Sequence, residues 1–266
     1  VKNPELVFDL NNVTVKTHKR TILDIPTLKV PPGTMLGIVG TNGAGKTTLL
    51  NVLCGLRRYR GNTSFSSQNW KKAGFFKRAA MRRTIGYVGQ SAIYNSELPF
   101  TLLEVVLMAR AGVRGLFKPL KSEDKKIARL WLDKLGLAHL ENQKFGTLSG
   151  GEQQKALIAR AMAQNPRVLL LDEPCSNLDF RWKYEISNII ENIYKQNDLS
   201  VIMVSHDISL LPACCQRIVL MSDGKIVMDG TCSDVLNSQN LSRAYGCPIK
   251  VDHIGNRTYA AFGGEK

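Results

Sequence analysis

The segment GTNGAGKT, Gly40 to Thr47, sets three glycines, a lysine and a threonine at the spacing G-x-x-x-x-G-K-[ST]. Glycines let successive backbone N–H groups curl around an anion, and a helix opening directly after them aims its positive end at the same point. A lysine there reaches the outer two phosphates of a nucleotide, and a neighbouring hydroxyl can ligate Mg²⁺. Gly40, Asn42, Gly43, Ala44, Gly45, Lys46, Thr47 and Thr48 are therefore the expected binding set for a nucleoside triphosphate. A second group lies 126 residues beyond Lys46, where VLLLDEP puts Asp172 and Glu173 at the exposed end of an apolar run. Asp172 can hold Mg²⁺ through water, and Glu173 can orient and deprotonate an attacking water.

Such residues need elements that hold them at one place. MLGIVG (35–40) is a short continuous apolar run and reads as a buried strand, and KTTLLNVLCGL after the loop has helical period and closes at Gly55. Strand, glycine loop and helix in that order is the context in which a phosphate loop works. The first thirty residues alternate apolar and polar in short runs, which predicts an antiparallel β region. After the strand IGYVG, Thr101 and Glu104 form a T-x-x-E capping box before LLEVVLMA, and SEDKKIARLWLDKLGL reads as an amphipathic helix. LSGGEQQ opens another helix that stops at Asn165-Pro166. VLLLDEP and SVIMVSH read as buried strands separated by a helix over 181–196, and IVLMSDGKIVMDG reads as a hairpin turning at Asp223-Gly224. Alternation of this kind predicts a parallel α/β core. Two short helices and a second hairpin around Gly255-Asn256 are expected in the tail.

LSGGEQQ, with Ser149 placed 23 residues before Asp172, resembles the signature motif of ABC-type ATPases. The resemblance covers nearly the whole chain. YVGQ resembles the Q-loop, SNLD the D-loop and VSHD the switch-histidine motif. It implies an α/β P-loop NTPase core with a parallel sheet, an antiparallel β subdomain and an inserted α-helical subdomain. The chain then divides as a single domain, 1–266: 1–90 and 151–230 form the core with its β subdomain, 91–150 the helical subdomain and 231–266 a short tail. It also implies roles for residues. Glu173 would be the general base, His206 the switch, and Gln90 a sensor of the γ-phosphate and of the permease. Gln90 would join Thr47 and Asp172 around Mg²⁺. Two copies would face head to tail, with Ser149, Gly150 and Gly151 of one capping the γ-phosphate held by Lys46 of the other, and Asp179 at the shared seam. ATP and Mg²⁺ are the implied cofactors. A homodimer, an integral-membrane permease whose coupling helix sits in the groove near Gln90, and indirectly a periplasmic substrate-binding protein are the implied partners. The implied place is peripheral, on the cytoplasmic face of the cell membrane.

PFTLLEVVLMAR and the tail DGTCSDVLNSQNLSRAYGCPIKV are similar to the ATPases of importers for iron chelates, haem and cobalamin. Another metal importer (zinc or manganese), an exporter, and an ATPase outside transport of the Fe–S assembly type stay open at this point. Chromosome-maintenance types do not fit, because 58 residues between Gln90 and Ser149 leave no room for coiled-coil arms. The family stacks adenine on an aromatic residue of the N-terminal β region, where this chain has Thr17 or His18. Gly89 stands before Gln90 where proline is frequent, and Cys175 follows Pro174 where threonine is common; Cys175 reads as packing.

Composition narrows the rest. Apolar residues at 44% and charged residues at 22% exclude a disordered or fibrous chain. A net charge of +14 predicts attraction to something anionic. The basic cluster at 71–83, with Phe75 and Phe76 between its cations, fits a solvated face, a dock for anionic lipid headgroups or a permease loop, or a nucleic-acid surface. No RNA- or DNA-binding module is recognisable, so nucleic acid is not an expected partner. Six cysteines without C-x-x-C spacing suggest free thiols in a reducing compartment, the cytosol. No apolar run reaches the roughly 20 residues of a membrane span, and VKNPELVFDL has no signal-peptide core.

Overall fold

The computed structural model describes residues 6–17, 20–90, 99–115, 118–255 and 257–263. Its first layer is antiparallel: β1 (Phe8–Lys16) and β2 (Thr21–Val30) form a hairpin. β3 (Met35–Gly40) then enters a second sheet, with all six residues buried, and α1 (Lys46–Leu53) follows the loop. The chain returns to the first layer with β4 (Arg60–Phe65) and β5 (Gln68–Asn69), giving the order β2-β1-β4-β5. α2 (Phe75–Arg83) leads into β6 (Ile85–Val88) at the edge of the second sheet.

A helical section follows, with α3 (Leu102–Arg114) and α4 (Ser122–Lys134), before α5 (Gly150–Ala163) returns the chain to the sheet. Thr101 caps α3 as its sequence predicts, its hydroxyl accepting from Glu104 N while the Glu104 carboxylate accepts from Thr101 N. The α3–α4 junction is tied by Asp124, whose side chain is fully buried between Arg110 and Arg114. Burial alone would raise its pKa, but the Lys121 N–H and the two guanidinium groups outweigh that and hold it at about 2. Arg110 also donates to Ala163 O, at the end of α5, so one ion cluster joins three helices.

β7 (Val168–Asp172), α6 (Phe180–Gln196), β8 (Ser200–Val204), β9 (Arg217–Ser222) and β10 (Lys225–Thr231) complete the second sheet. Its order is β10-β9-β3-β8-β7-β6, parallel throughout except for the β10 edge. Side chains along its strands alternate between two apolar cores. Leu169, Leu171, Val201, Met203, Ile218 and Leu220 face the core shared with α3 to α6. Val168, Leu170, Ile202, Val204, Val219 and Met221 face the core shared with α1 and the antiparallel layer. A sheet covered on both faces needs strands that are apolar throughout, which explains the continuous VLLL and SVIMV runs. The tail adds α7 (Cys232–Val235), α8 (Ser238–Tyr245) and the hairpin β11 (Ile249–Ile254) with β12 (Arg257–Phe262). The six cysteines are free thiols.

Candidate active site

Parallel strands release their chains at one edge, and ligands of such sheets bind outside that carboxyl edge. Here four adjacent strands deliver the site. β3 delivers the glycine loop, β8 delivers His206, β7 delivers Asp172 and Glu173, and β6 delivers Gln90. They surround a cleft of about 810 Å³ lined by Asn42, Gly43, Ala44, Gly45, Lys46, Thr47, Thr48, Gln90, Glu173 and His206, among others. Thr47 and Asp172, 125 positions apart in sequence, and Gln90 and Glu173, 83 apart, thus meet at one edge of the sheet.

The loop is held tightly. A Cβ on Gly40 would stand 2.1 Å from Met221 O of β9, so no side chain is tolerated there. The β9–β10 turn braces the loop from outside, Gly224 N donating to Ala44 O at 3.2 Å while Gly224 O accepts from Asp24 N at 2.7 Å. Lys46 is only 5% exposed, and its ammonium donates to Gly40 O at 2.8 Å and Thr41 O at 3.0 Å. Burial pulls its pKa down, against the opposing charges of Glu173 and Asp172.

Asp172 departs from its expected exposure. It is 1% exposed, because β6 and β8 flank its strand and Tyr87 reaches across it. Thr47 Oγ1 donates to Asp172 Oδ1 at 3.1 Å and the Tyr87 hydroxyl to Oδ2 at 3.4 Å. Burial pushes the Asp172 pKa up; the hydrogen bond from Thr47 opposes it and the charge of Glu173 adds to it. A buried carboxylate beside a hydroxyl, raised in energy by desolvation, suits a hard divalent cation, so these two donors fit Mg²⁺.

Glu173 sits in the left-handed region with φ 50°, its N–H donating to Val204 O of β8 at 3.1 Å. That backbone turn aims its carboxylate across the strand ends. Gln90 Nε2 donates to Glu173 Oε2 at 3.2 Å, and His206 Nδ1 lies 3.3 Å from the same oxygen. A carboxylate so held, with φ outside the ordinary L range, is the kind of local strain that functional sites carry.

Other expected residues stand apart from the cleft. Ser149, Gly150 and Gly151 open α5 and are absent from its lining. Ser149 is engaged locally: its hydroxyl donates to Glu152 Oε2 at 2.7 Å in a capping box, which lowers the Glu152 pKa. Gly151 is required by packing, since a Cβ there would stand 2.0 Å from the Trp182 ring. Asp179 caps α6 by accepting from Trp182 N at 2.9 Å. Thr17 turns back on Arg20 O and does not line the cleft, and His18 lies outside the described residues. Arg20 and Ile22 line it instead. Arg20 lies in no motif and follows the two candidate positions; Tyr87 opens YVGQ, a motif in which only Gln90 carries an expected role. Cys175 is buried and its thiol contacts Lys183 O, as packing requires.

The family description "ABC transporter" matches residues 23–176, more than half of the chain. The chain belongs to the ABC transporter family. It is accordingly an ATP-binding and ATP-hydrolysing protein. The ABC chain is 34% identical to the manganese transport system ATP-binding protein MntB of Bacillus subtilis (strain 168), covering 90% of this chain and 92% of that one. It is 32% identical to an ATP-binding protein of Helicobacter pylori (strain ATCC 700392 / 26695) named for iron chelatin transport, over 92% and 95%. Among solved structures, an inward-facing transporter described as of the metal-chelate type matches with TM-score 0.80 at 26% identity, covering 97% of this chain and 96% of that one. A dimeric ATP-binding cassette in a post-hydrolysis state with ADP and Pi matches with TM-score 0.72 at 27% identity, over 84% and 98%. Among the described residues no helix is long and apolar enough to cross a membrane.

Proposed function

We propose that this ABC ATPase powers import of a metal ion or metal chelate through a separate permease, by closing two copies head to tail around ATP. The observation that carries the proposal is a half-site. Lys46, Thr47, Gln90, Glu173 and His206 converge on one cleft, while Ser149, Gly150 and Gly151 lie outside its lining at the start of α5. The dimeric cassette found among similar structures supports that arrangement.

Lys46 holds the β- and γ-phosphates with the third proton of its ammonium, the other two being directed to Gly40 O and Thr41 O. Gln90 and His206 fix the Glu173 carboxylate, which takes the proton of the attacking water. Mg²⁺ held by Thr47, Asp172 and Gln90 would neutralise phosphate charge. Ser149 of the partner subunit donates its hydroxyl to the γ-phosphate once released from Glu152. Loss of that phosphate removes the shared contact and opens the seam, a two-state element biased by one ligand.

The metal cargo is supported by relatives named for manganese and for iron chelatin, at 34% and 32% identity. The choice between free ion and chelate belongs to the permease and binding protein, since no group of three or more His, Cys, Asp or Glu able to hold a metal occurs among the described residues. The test is affinity purification from membranes, identification of the integral partner, and uptake of Mn²⁺ and of an iron chelate into vesicles. Uptake of either, lost with Glu173→Gln, supports the reading; ATPase purified with no integral partner contradicts it.

A further inference from the structure

ATP hydrolysis makes no use of the most basic stretch of the chain. Nine Lys or Arg fall within residues 57–83, and no acidic residue occurs between Asp24 and Glu97. Part of this charge has internal work. Arg82 donates to Cys54 O and Gly55 O, closing the end of α1, and Arg78 donates to Trp70 O and Lys71 O. Lys71 donates to Gly61 O and lies over the Tyr59 ring. The side chains of Arg57, Arg58, Arg60, Lys72, Lys77 and Arg83 are exposed and make no hydrogen bond or ion pair with described residues.

Two features make this surface more than a solvated face. Arg57, Arg58, Tyr59, Trp70, Lys71 and Arg78 bound a groove of about 420 Å³. At the start of α2, Phe75 and Phe76 stand 76% and 86% exposed, although only Met81 of that helix is buried. Adjacent exposed aromatic rings cost apolar hydration that plain solvation would not justify. Their planes meet at 81°, edge to face, so the two rings do not form a parallel platform for stacked bases. A surface of one charge sign beside protruding aromatics matches an anionic bilayer, where phosphates lie above an apolar layer. The groove lies at the far end of α1 from the phosphate loop, about 12 Å along a helix of eight residues, so a bound lipid leaves the ATP cleft free.

We propose that this surface docks directly on an anionic phospholipid bilayer, lipid phosphates entering the Arg57–Arg58–Lys71–Arg78 groove while Phe75 and Phe76 enter the acyl boundary. The contact is independent of which cargo the permease carries. It would hold the ATPase at the membrane through a second, sequence-unspecific attachment beside the permease.

The test is sedimentation of the purified full chain with phosphatidylcholine vesicles, with or without about 30 mol% phosphatidylglycerol, where each cation near such a surface is worth about fivefold in partition. Arg57→Ala/Arg58→Ala is expected to lower binding to anionic vesicles about thirtyfold on the same basis. Phe75→Ser/Phe76→Ser should lower it about tenfold or more by loss of apolar insertion. ATP turnover in solution reports that both variants are folded, and unchanged turnover with weakened sedimentation supports the proposal. Equal binding to neutral and anionic vesicles overturns it, as does unchanged binding by both variants. Retention only on vesicles containing a permease would assign the surface to a protein partner and overturn it too.

Discussion

Gly151→Ala separates two reasons for a glycine in the signature motif. A phosphate nest needs backbone N–H groups, which alanine also has; the packing of α5 on α6 needs the missing Cβ. An alanine Cβ would stand 2.0, 2.4 and 2.4 Å from three atoms of the Trp182 ring. To restore ordinary contact the ring must retreat by about 1.5 Å. Overpacking of this kind costs about 1–3 kcal/mol, and Trp182 is only half-buried, which puts the expected cost in the lower part of that range. Lys155 lies 4.9 Å over the same ring, and losing that contact adds about 0.5–1 kcal/mol. A total near 2 kcal/mol lowers the melting temperature by about 4–8 °C in a chain of this size. Thermal unfolding of the nucleotide-free protein measures it. In a Trp182→Ala background the same substitution should cost less than about 0.5 kcal/mol, because the obstacle is gone. A Gly151→Ala protein that melts with the parent, or an equal penalty with and without Trp182, would refute the steric reading.

Glu173→Gln keeps the side-chain shape but removes the base, so turnover should fall on the order of 10²–10⁴-fold while ATP still binds; steady-state ATPase and nucleotide binding check it. Asp172→Asn tests the raised pKa. A carboxyl raised by folding favours the folded state most fully at low pH and loses that contribution as pH rises through its folded value. The nucleotide-free Asn variant should therefore melt above the parent at pH 8, with the gap closing towards acid, and should lose the stabilisation that Mg²⁺ with ATP gives the parent. Arg20, which lines the cleft, is expected to lie against the base, so Arg20→Ala should weaken ATP binding about two- to fivefold and leave binding of inorganic triphosphate, which has no base, unchanged; equilibrium binding of both ligands checks it.

Much of the site was legible because its parts are local. Gly40 to Thr47 is one contiguous turn, and the Thr101–Glu104 box and the Asp223-Gly224 turn declare themselves over four residues or fewer. The latter shows φ of 48° and 76°, as a tight hairpin demands. Strand runs such as MLGIVG are apolar throughout because both faces of the sheet are covered. What escaped is set by distant contacts. α2 carries no apolar stripe, since Phe75 and Phe76 point outward and Met81 alone is buried, so its periodicity gave no helix signal. Asp172 reads as exposed until Tyr87, 85 residues earlier, is seen to cover it. Nothing local in SEDKK marks Asp124 as buried, yet two arginines from α3 enclose it. Arg20 reaches the cleft only because β2 packs beside the glycine loop, a proximity no local motif encodes.

The central claim, that one copy's α5 N-terminus completes the cleft of another, is tested most directly by a disulfide across the seam. Ser149→Cys/Asn42→Cys in the Glu173→Gln protein, mildly oxidised, should give a crosslinked dimer with ATP and little without it. Each variant with only one of the two added cysteines, beside the six native thiols, should stay monomeric on the same gel. No ATP-dependent dimer from the paired cysteines, while ATP binding is retained, would contradict a shared site.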